Sequence, residues 1–156
     1  IPICLAAIPV YFRFLVKKEL YNLPLLGWHL KGRGDIPIDR QKGHKARETL
    51  NKLSEFVKMG EPVLIFPEGT RSEDGNIQNF KRVSFMLATN SGAKIVPMAI
   101  SGSYNIQKKG SILIHPSEVF INIGKPISVA EYSSISVNQN SLIEHIQKEV
   151  ISLMHK

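Results

Sequence analysis

The sequence has few of the residues that build disulfide frameworks or membrane spans. It contains one cysteine, Cys4, among 156 residues. A lone cysteine cannot form an internal disulfide, so we expect a small buried side chain and a reducing compartment. The apolar run from Ile1 to Val16 is interrupted by Pro2, Pro9 and Arg13, and it falls short of the roughly 20 apolar residues that cross a bilayer. The sequence therefore excludes a disulfide scaffold and predicts no membrane span within this chain.

Internal repeats, low-complexity tracts and linkers are also missing. With 43% hydrophobic and 21% charged residues, the composition is that of an ordinary globular protein, and the length fits a single domain over residues 1–156. The net charge of +7 and the pI of 9.6 favour anionic partners. These could be nucleic acid, acidic lipid headgroups or phosphorylated substrates. Because no basic stripe is interleaved with aromatic residues, a nucleic-acid-binding domain is the less favoured alternative, and we expect no nucleic-acid partner.

Strand and helix patterns largely alternate over the first two thirds of the chain. This order predicts an α/β fold with a mostly parallel or mixed sheet flanked by helices. The clearest helix spans Lys45–Met59, with apolar residues at helical spacing and Gly60 after it. Further helices are predicted at 1–8, 23–31, 81–89 and 142–154, and strands at 11–16, 36–38, 63–66, 95–100, 112–114 and 118–123. Residues 104–111 are predicted to form a basic loop, and most apolar side chains at 23–28 are interpreted as core, with membrane-facing positions as the alternative.

The stretch Phe66–Ser72, with the sequence FPEGTRS, is the strongest candidate for a binding loop. Pro67 ends the preceding apolar strand because it has no N–H for a sheet ladder. Gly69 allows close approach of a ligand, and Arg71 offers a planar fork suited to phosphate or carboxylate. Open α/β sheets bind ligands in such loops at the carboxyl ends of buried strands. The alternative is a surface turn closed by a Glu68–Arg71 ion pair.

Four sequence blocks, in order, resemble those of the PlsC-type glycerolipid acyltransferases, the lysophosphatidic acid acyltransferase family. The blocks are Lys17–Leu20 with Pro24–Trp28, Gly34–Arg40, Phe66–Ser72 and Ile95–Ala99. The resemblance implies a glycerol-3-phosphate acyltransferase-like fold. It also implies transfer of a fatty acyl group from an acyl thioester to a lysophospholipid such as 1-acylglycerol 3-phosphate, which makes phosphatidic acid. The donor would be acyl-CoA or acyl-carrier protein, used as a substrate, and neither a cofactor nor a metal is expected.

The same resemblance implies a set of substrate-binding residues. They are Lys17, Arg40, Glu68, Gly69, Thr70 and Arg71. The two arginines would bind the acceptor phosphate with Lys17 as a helper, since a phosphate dianion can accept paired hydrogen bonds from two guanidinium groups. Glu68 would hold Arg71 or the acceptor glycerol. The alternatives are an ion pair of Arg40 with Asp39 or Glu48, and a solvated strand end for Lys17.

The family's general base is missing from the sequence. In the family, the histidine of an H-x4-D block takes the proton of the acceptor hydroxyl, and the aspartate orients it. None of the five histidines here is followed by aspartate at that spacing. The block precedes the segment matched by Ile1–Ile3, so we expect a chain truncated just after it, with the catalytic pair upstream of Ile1 and no activity in the fragment alone. The alternative is a lipid-binding pseudoenzyme that has lost the base.

Attachment to a membrane surface follows from the resemblance and the charge together. An enzyme whose acceptor and product lie in a bilayer needs its phosphate site near the headgroups. The net charge of +7 would attract anionic headgroups. We therefore expect a membrane-associated protein at the cytoplasmic face.

Overall fold

The computed structural model describes residues 2–39, 43–108, 110–111, 113–133 and 139–154. The chain forms two compact units. The first comprises Ile1–Phe66 and Met86–Ser91, and the second comprises Pro67–Phe85 and Gly92–Lys156. The chain thus leaves the first unit after Phe66 and returns to it for one helix. The single acyltransferase domain over residues 1–156 stays a prediction.

The first unit is built on a parallel sheet. Its elements are α1 (Pro2–Ala7), β1 (Arg13–Lys17), a 3₁₀ helix (Lys18–Asn22), α2 (Leu26–Gly32), β2 (Ile36–Ile38), α3 (Gly43–Lys58), β3 (Val63–Leu64) and α4 (Met86–Ser91). The strand order is β2–β1–β3, and β1 pairs Leu15 with Ile36 and Arg13 with Val63. Three consecutive residues of β1 are buried, which is typical of a parallel strand covered on both faces.

The core of the first unit is formed by side chains from the sheet, α3 and α4. Its buried members are Leu15, Ile38, Leu50, Leu53 and Leu87. Helix α3 presents its leucines to this core at helical spacing and ends just before Gly60, whose φ of +90° favours glycine. The helix predicted at Lys45–Met59 is confirmed.

The second unit has a smaller antiparallel sheet. Its elements are a 3₁₀ helix (Arg82–Phe85), β4 (Met98–Ser101), α5 (Ser103–Ile106), β5 (Phe120–Ile123), α6 (Ala130–Ser133) and α7 (Gln139–Met154). Strands β4 and β5 pair Met98 with Ile123. Helix α7 packs on β4 and buries Leu142, Ile146 and Leu153, and the Asn122 side chain donates a hydrogen bond of 2.7 Å to the Leu153 carbonyl.

The predicted α/β class, with a parallel sheet flanked by helices, is confirmed, while several local predictions are wrong. Leu113 and Ile114 belong to no strand and are exposed, because an apolar run forms a strand only where another strand pairs with it; Ile112 lies outside the described residues. The basic loop at 104–111 contains part of α5. The strand predicted at 95–100 begins at Met98, since Pro97 cannot donate to a ladder.

Two further expectations concern apolar surfaces. Within 23–28, the side chains of Leu23, Leu25 and Trp28 are exposed, so the core interpretation is wrong for them. Every helix in the described part of the chain is too short or too polar to cross a membrane.

Candidate functional site

The predicted residues Glu68, Gly69, Thr70 and Arg71 share one loop of the second unit, running from Pro67 to Lys81. The Lys81 N–H donates to the Pro67 carbonyl at 2.9 Å, so the two ends of the loop meet, as in Ω-loops. The Ser84 hydroxyl donates to the same carbonyl at 3.5 Å. We call this segment the Pro67–Lys81 loop.

Glu68 is half-buried inside this loop. Its carboxylate accepts a hydrogen bond of 2.8 Å from the Gln78 N–H, which ties the two arms of the loop together. Burial raises the pKa of Glu68, and the Gln78 hydrogen bond opposes that rise. Within the described residues Glu68 makes no ion pair with Arg71, so the local pair that was the alternative interpretation does not form.

Gly69 brings the loop backbone against a lysine. Its φ of +72° lies in the left-handed region that favours glycine. A Cβ added there would lie 3.1 Å from both Cδ and Nζ of Lys81, so the Lys81 side chain covers the Gly69 backbone. Sequence reasoning did not assign Lys81 to the site, although its segment Phe80–Arg82 resembles the family's F-K-K/R-G motif, with Val83 in place of the usual glycine.

Arg71 is an exposed cation of the loop. Its guanidinium Nη1 donates to the Gln107 side-chain oxygen at 3.3 Å. Arg71 lines a cleft of about 290 Å³ together with Thr70, Glu73, Asp74 and Gln78. Because a guanidinium carries several N–H donors, most of those on Arg71 remain available to an anion in the cleft.

Two carboxylates, those of Glu73 and Asp74, also line the cleft. Asp74 accepts hydrogen bonds from the Asn76 side chain at 2.8 Å, from the Asn76 N–H at 3.0 Å and from the Ser72 hydroxyl at 2.9 Å. These bonds, the Asn76 side chain first, lower the pKa of Asp74, so the carboxylate stays ionised. A cleft lined by both a cation and carboxylates suits a ligand that combines an anionic group with hydroxyl donors.

The other two predicted site residues, Lys17 and Arg40, are not part of this loop. Lys17 is exposed at the end of β1 in the first unit, with its Nζ 3.7 Å from Glu19 Oε1. Arg40 lies outside the described residues. The loop therefore groups four of the six predicted residues, and the assignment of all six to substrate stays a prediction.

A buried polar network around Asp35 in the first unit was missed from the sequence. The fully buried carboxylate accepts the Phe14 N–H at 2.8 Å and lies 3.3 Å from Arg33 Nε. Arg33 Nη2 also donates to the Phe12 carbonyl at 2.9 Å, and the Tyr21 hydroxyl donates to the Asp35 carbonyl. The opposite charges of Arg33 and Asp35 just before the strand at 36–38 could have signalled it. The network joins β1 to the segment before β2.

The histidines show no general-base geometry in the part of the chain that the structure describes. His29, His44, His115 and His145 are all exposed. Among the described residues, every ion pair has a lysine or an arginine as its cation, and none has a histidine. No imidazole there is oriented by a carboxylate, as acyl transfer to a hydroxyl requires.

Comparison with known proteins connects this site to a family. The Acyltransferase family model matches residues 2–101. A chloroplastic 1-acyl-sn-glycerol-3-phosphate acyltransferase of Arabidopsis thaliana is 36% identical over 118 residues, which cover 74% of this chain and 33% of the relative. The enzyme of that name from Saccharomyces cerevisiae is 32% identical over 79% of this chain and 42% of the relative. The chain thus spans well under half the length of these curated relatives.

A solved structure agrees with the sequence comparison. The crystal structure of the 1-acyl-sn-glycerophosphate acyltransferase PlsC from Thermotoga maritima superposes with a TM-score of 0.76 at 27% identity, covering 96% of this chain and 57% of that one. The family match includes β1, α2, the Pro67–Lys81 loop and β4. The chain therefore belongs to the acyltransferase family, the PlsC-type family that its four sequence blocks predict.

Proposed function

We propose that this chain forms the acceptor-binding part of a 1-acylglycerol-3-phosphate O-acyltransferase. The reaction transfers a fatty acyl group from acyl-CoA or acyl-carrier protein to the free hydroxyl of a lysophospholipid such as 1-acylglycerol 3-phosphate, and the product is phosphatidic acid. The enzyme works at a membrane surface on the cytoplasmic face, and nucleic acid is not a partner.

The observation that carries this proposal is the exposed guanidinium of Arg71 in the cleft. Its free N–H donors fit the acceptor phosphate, and charge-assisted bonds to phosphate are the strong ones. The carboxylates of Glu73 and Asp74 on the same cleft fit the glycerol hydroxyl better than a second phosphate. Lys81, packed on Gly69, adds a cation beside the backbone of the loop.

Equilibrium binding of glycerol 3-phosphate tests the role of Arg71 without requiring catalysis. Removing a charge-assisted contact costs about 1.5–3 kcal/mol, so Arg71→Ala should weaken binding roughly ten- to a hundred-fold. The measurement is isothermal titration calorimetry of the chain and its variants. Arg47→Ala, which removes an exposed arginine from α3, is the matched control and should bind like the parent. Unchanged affinity of Arg71→Ala would contradict the proposal.

Acyl transfer by the chain alone is expected to remain at background. The reason is chemical: an acceptor hydroxyl is a poor nucleophile until an imidazole takes its proton, and no H-x4-D block is present in the sequence. The assay uses acyl-CoA and 1-acylglycerol 3-phosphate with the purified chain. Turnover above background would contradict this prediction and direct attention to His29 and His44. His29→Ala and His44→Ala variants would then identify the base.

A further inference from the structure

Three large apolar side chains face solvent at the start of α2. The exposed fractions are 83% for Leu25, 81% for Trp28 and 48% for Leu23. The other side of the helix is buried through Gly27 and Leu30. A Cβ on Gly27 would have no room against the Tyr21 backbone, so α2 is seated closely on the 3₁₀ helix. We call Leu23, Leu25 and Trp28 the apolar tip.

The backbone holds the apolar tip outward by a strained turn. The Leu26 N–H donates to the Pro24 carbonyl at 2.6 Å, and Leu25 between them has φ +61° and ψ −55°. These values define a γ-turn of the rare, strained kind. Across the described ranges, Leu25 is the one non-glycine residue with positive φ. Strain without any core packing to offset it is typical of a functional position.

Exposed lysines lie on the short helices on either side of the tip in the sequence. Lys17 and Lys18 stand at the start of the 3₁₀ helix, and Lys31 lies on α2 with its Nζ 5.7 Å from the centre of the Tyr21 ring. The carboxylate in this segment, Glu19, lies 3.7 Å from Lys17 and offsets part of that charge. We call the three lysines the basic rim.

We propose that the apolar tip inserts into the headgroup region of an anionic bilayer while the basic rim contacts lipid phosphates. Tryptophan favours the membrane–water interface because its ring is amphipathic. Lysines near an anionic surface are attracted to it, and salt screens the attraction. Apolar side chains next to exposed lysines match a bilayer surface, where acyl chains lie beneath charged phosphates. The inference rests on the proposed function only in that the acceptor of that reaction resides in a bilayer.

Tryptophan fluorescence tests the insertion directly. The chain has one tryptophan, so its emission reports on the tip alone. The chain is mixed with vesicles of equal parts phosphatidylcholine and phosphatidylglycerol, or of phosphatidylcholine only, with and without brominated acyl chains. We expect a blue shift and quenching by bromine with the anionic vesicles, both weakening as salt rises. Binding without a shift or quenching, or no binding to anionic vesicles, would overturn the proposal.

Two variants distinguish insertion of the apolar tip from nonspecific binding of the chain to vesicles. Leu25→Ser should lower the vesicle partition coefficient roughly tenfold, since it removes an inserted apolar side chain. Leu113→Ser, at a leucine 64% exposed in the second unit, is the matched control and should bind like the parent. Thermal melting of both variants checks that they fold. Equal loss in the two variants would overturn the proposal.

The basic rim has its own control. The pair Lys18→Gln and Lys31→Gln should reduce the preference for anionic vesicles severalfold, whereas Lys52→Gln with Lys58→Gln on α3 removes the same charge and should change it less. An equal effect of both pairs would show attraction by net charge alone and would overturn the role of the rim.

Self-association and acceptor binding are followed in the same samples. If the tip instead joins two copies of the chain, sedimentation velocity will show a dimer that Leu25→Ser abolishes, and the proposal fails. Glycerol 3-phosphate binding is measured in parallel. If the chain binds glycerol 3-phosphate normally but does not insert into vesicles, only the proposal for the apolar tip is rejected. If it inserts but does not bind glycerol 3-phosphate, the proposed function is rejected and the apolar tip remains a membrane contact.

Discussion

Arg33 and Arg71 are the same residue type in opposite situations. Arg33, in the first unit, pairs with the buried Asp35 carboxylate at 3.3 Å, donates to the Phe12 carbonyl at 2.9 Å and lies over the Tyr11 ring. Arg71, in the second unit, is exposed and donates to the Gln107 side chain at 3.3 Å. The Arg33 guanidinium donates to acceptors of the protein through Nε and Nη2, whereas the exposed Arg71 guanidinium makes one hydrogen bond to a side chain.

The contrast indicates how a structural arginine can be distinguished from a binding arginine. A structural arginine has its donors satisfied by buried acceptors, so removing a partner destabilises the fold. A binding arginine is held by few contacts and leaves stability almost unchanged when removed. Substitutions in the Asp35 network and in the Pro67–Lys81 loop test this distinction.

Asp35→Ala should have the largest effect on stability. It leaves the Phe14 N–H and the Arg33 guanidinium without their buried acceptor, and breaking such a pair costs about 3 kcal/mol. Denaturant unfolding of the parent and variant measures the loss. Arg71→Ala is the companion variant and should shift the free energy of unfolding by less than about 0.5 kcal/mol. Similar losses of unfolding free energy in Asp35→Ala and Arg71→Ala would contradict the distinction between a structural Arg33 and a binding Arg71.

Gly69→Ala should cost less stability and should also disturb binding. A non-glycine residue in the left-handed region costs about 1–2 kcal/mol, and the new Cβ meets Lys81. Gly92→Ala is a close control, because Gly92 has the same φ of +72° but nothing within 4 Å of its added Cβ. Both variants should lose similar stability by denaturant unfolding, while Gly69→Ala alone weakens glycerol 3-phosphate binding. Equal binding by both would mean that the Lys81 contact is not needed.

Glu68→Gln should have the smallest effect, and it should be stabilising. Burial raises the folded-state pKa of Glu68 above its ordinary value of 4.5. The folded state therefore holds its proton more tightly than the unfolded state, and stability falls as pH rises through that pKa. Near neutral pH the glutamine variant should be more stable by no more than about 1 kcal/mol, since solvent screens a half-buried group.

Thermal melting across pH measures the Glu68 effect. The advantage of Glu68→Gln should disappear below the ordinary pKa of 4.5, where both side chains are neutral. Glu144→Gln, at an exposed position of α7, should show no such dependence. A parent as stable as Glu68→Gln at neutral pH would mean that the carboxylate is held in the loop without cost.

Much of the fold could be predicted because its signals are local. Helix α3 follows from leucines at helical spacing with Gly60 after them. The start of β3 at Val63 follows from its apolar run, but the strand ends at Leu64 and not at Phe66 as predicted. The prediction of a strand at Leu113 and Ile114 was wrong, because a strand needs a neighbouring strand to pair with and the local sequence does not reveal one. The apolar tip was mistaken for core for the same reason: a short apolar run does not show which face the chain will cover.

The candidate site was predictable in part. The FPEGTRS stretch placed Glu68 to Arg71 in one loop, since neighbours in sequence stay neighbours in space. The packing of Lys81 on Gly69 depends on the loop closing on itself, and the burial of Asp35 depends on β1 passing beside it. Neither contact follows from residue type or spacing, which is why both were found only in the structure.

The path of the chain through the first unit also sets an order for biosynthesis. Strand β1 is made early, but its neighbour β3 contains Val63 and Leu64, and the core residue Leu87 belongs to the segment Met86–Ser91. A nascent chain on the ribosome therefore cannot complete this unit until the whole Pro67–Lys81 loop has emerged. Until then the inner faces of β1 and α3 stay uncovered, a state prone to aggregation. The late return of one short helix therefore prolongs the interval during synthesis in which the core of the first unit is incomplete.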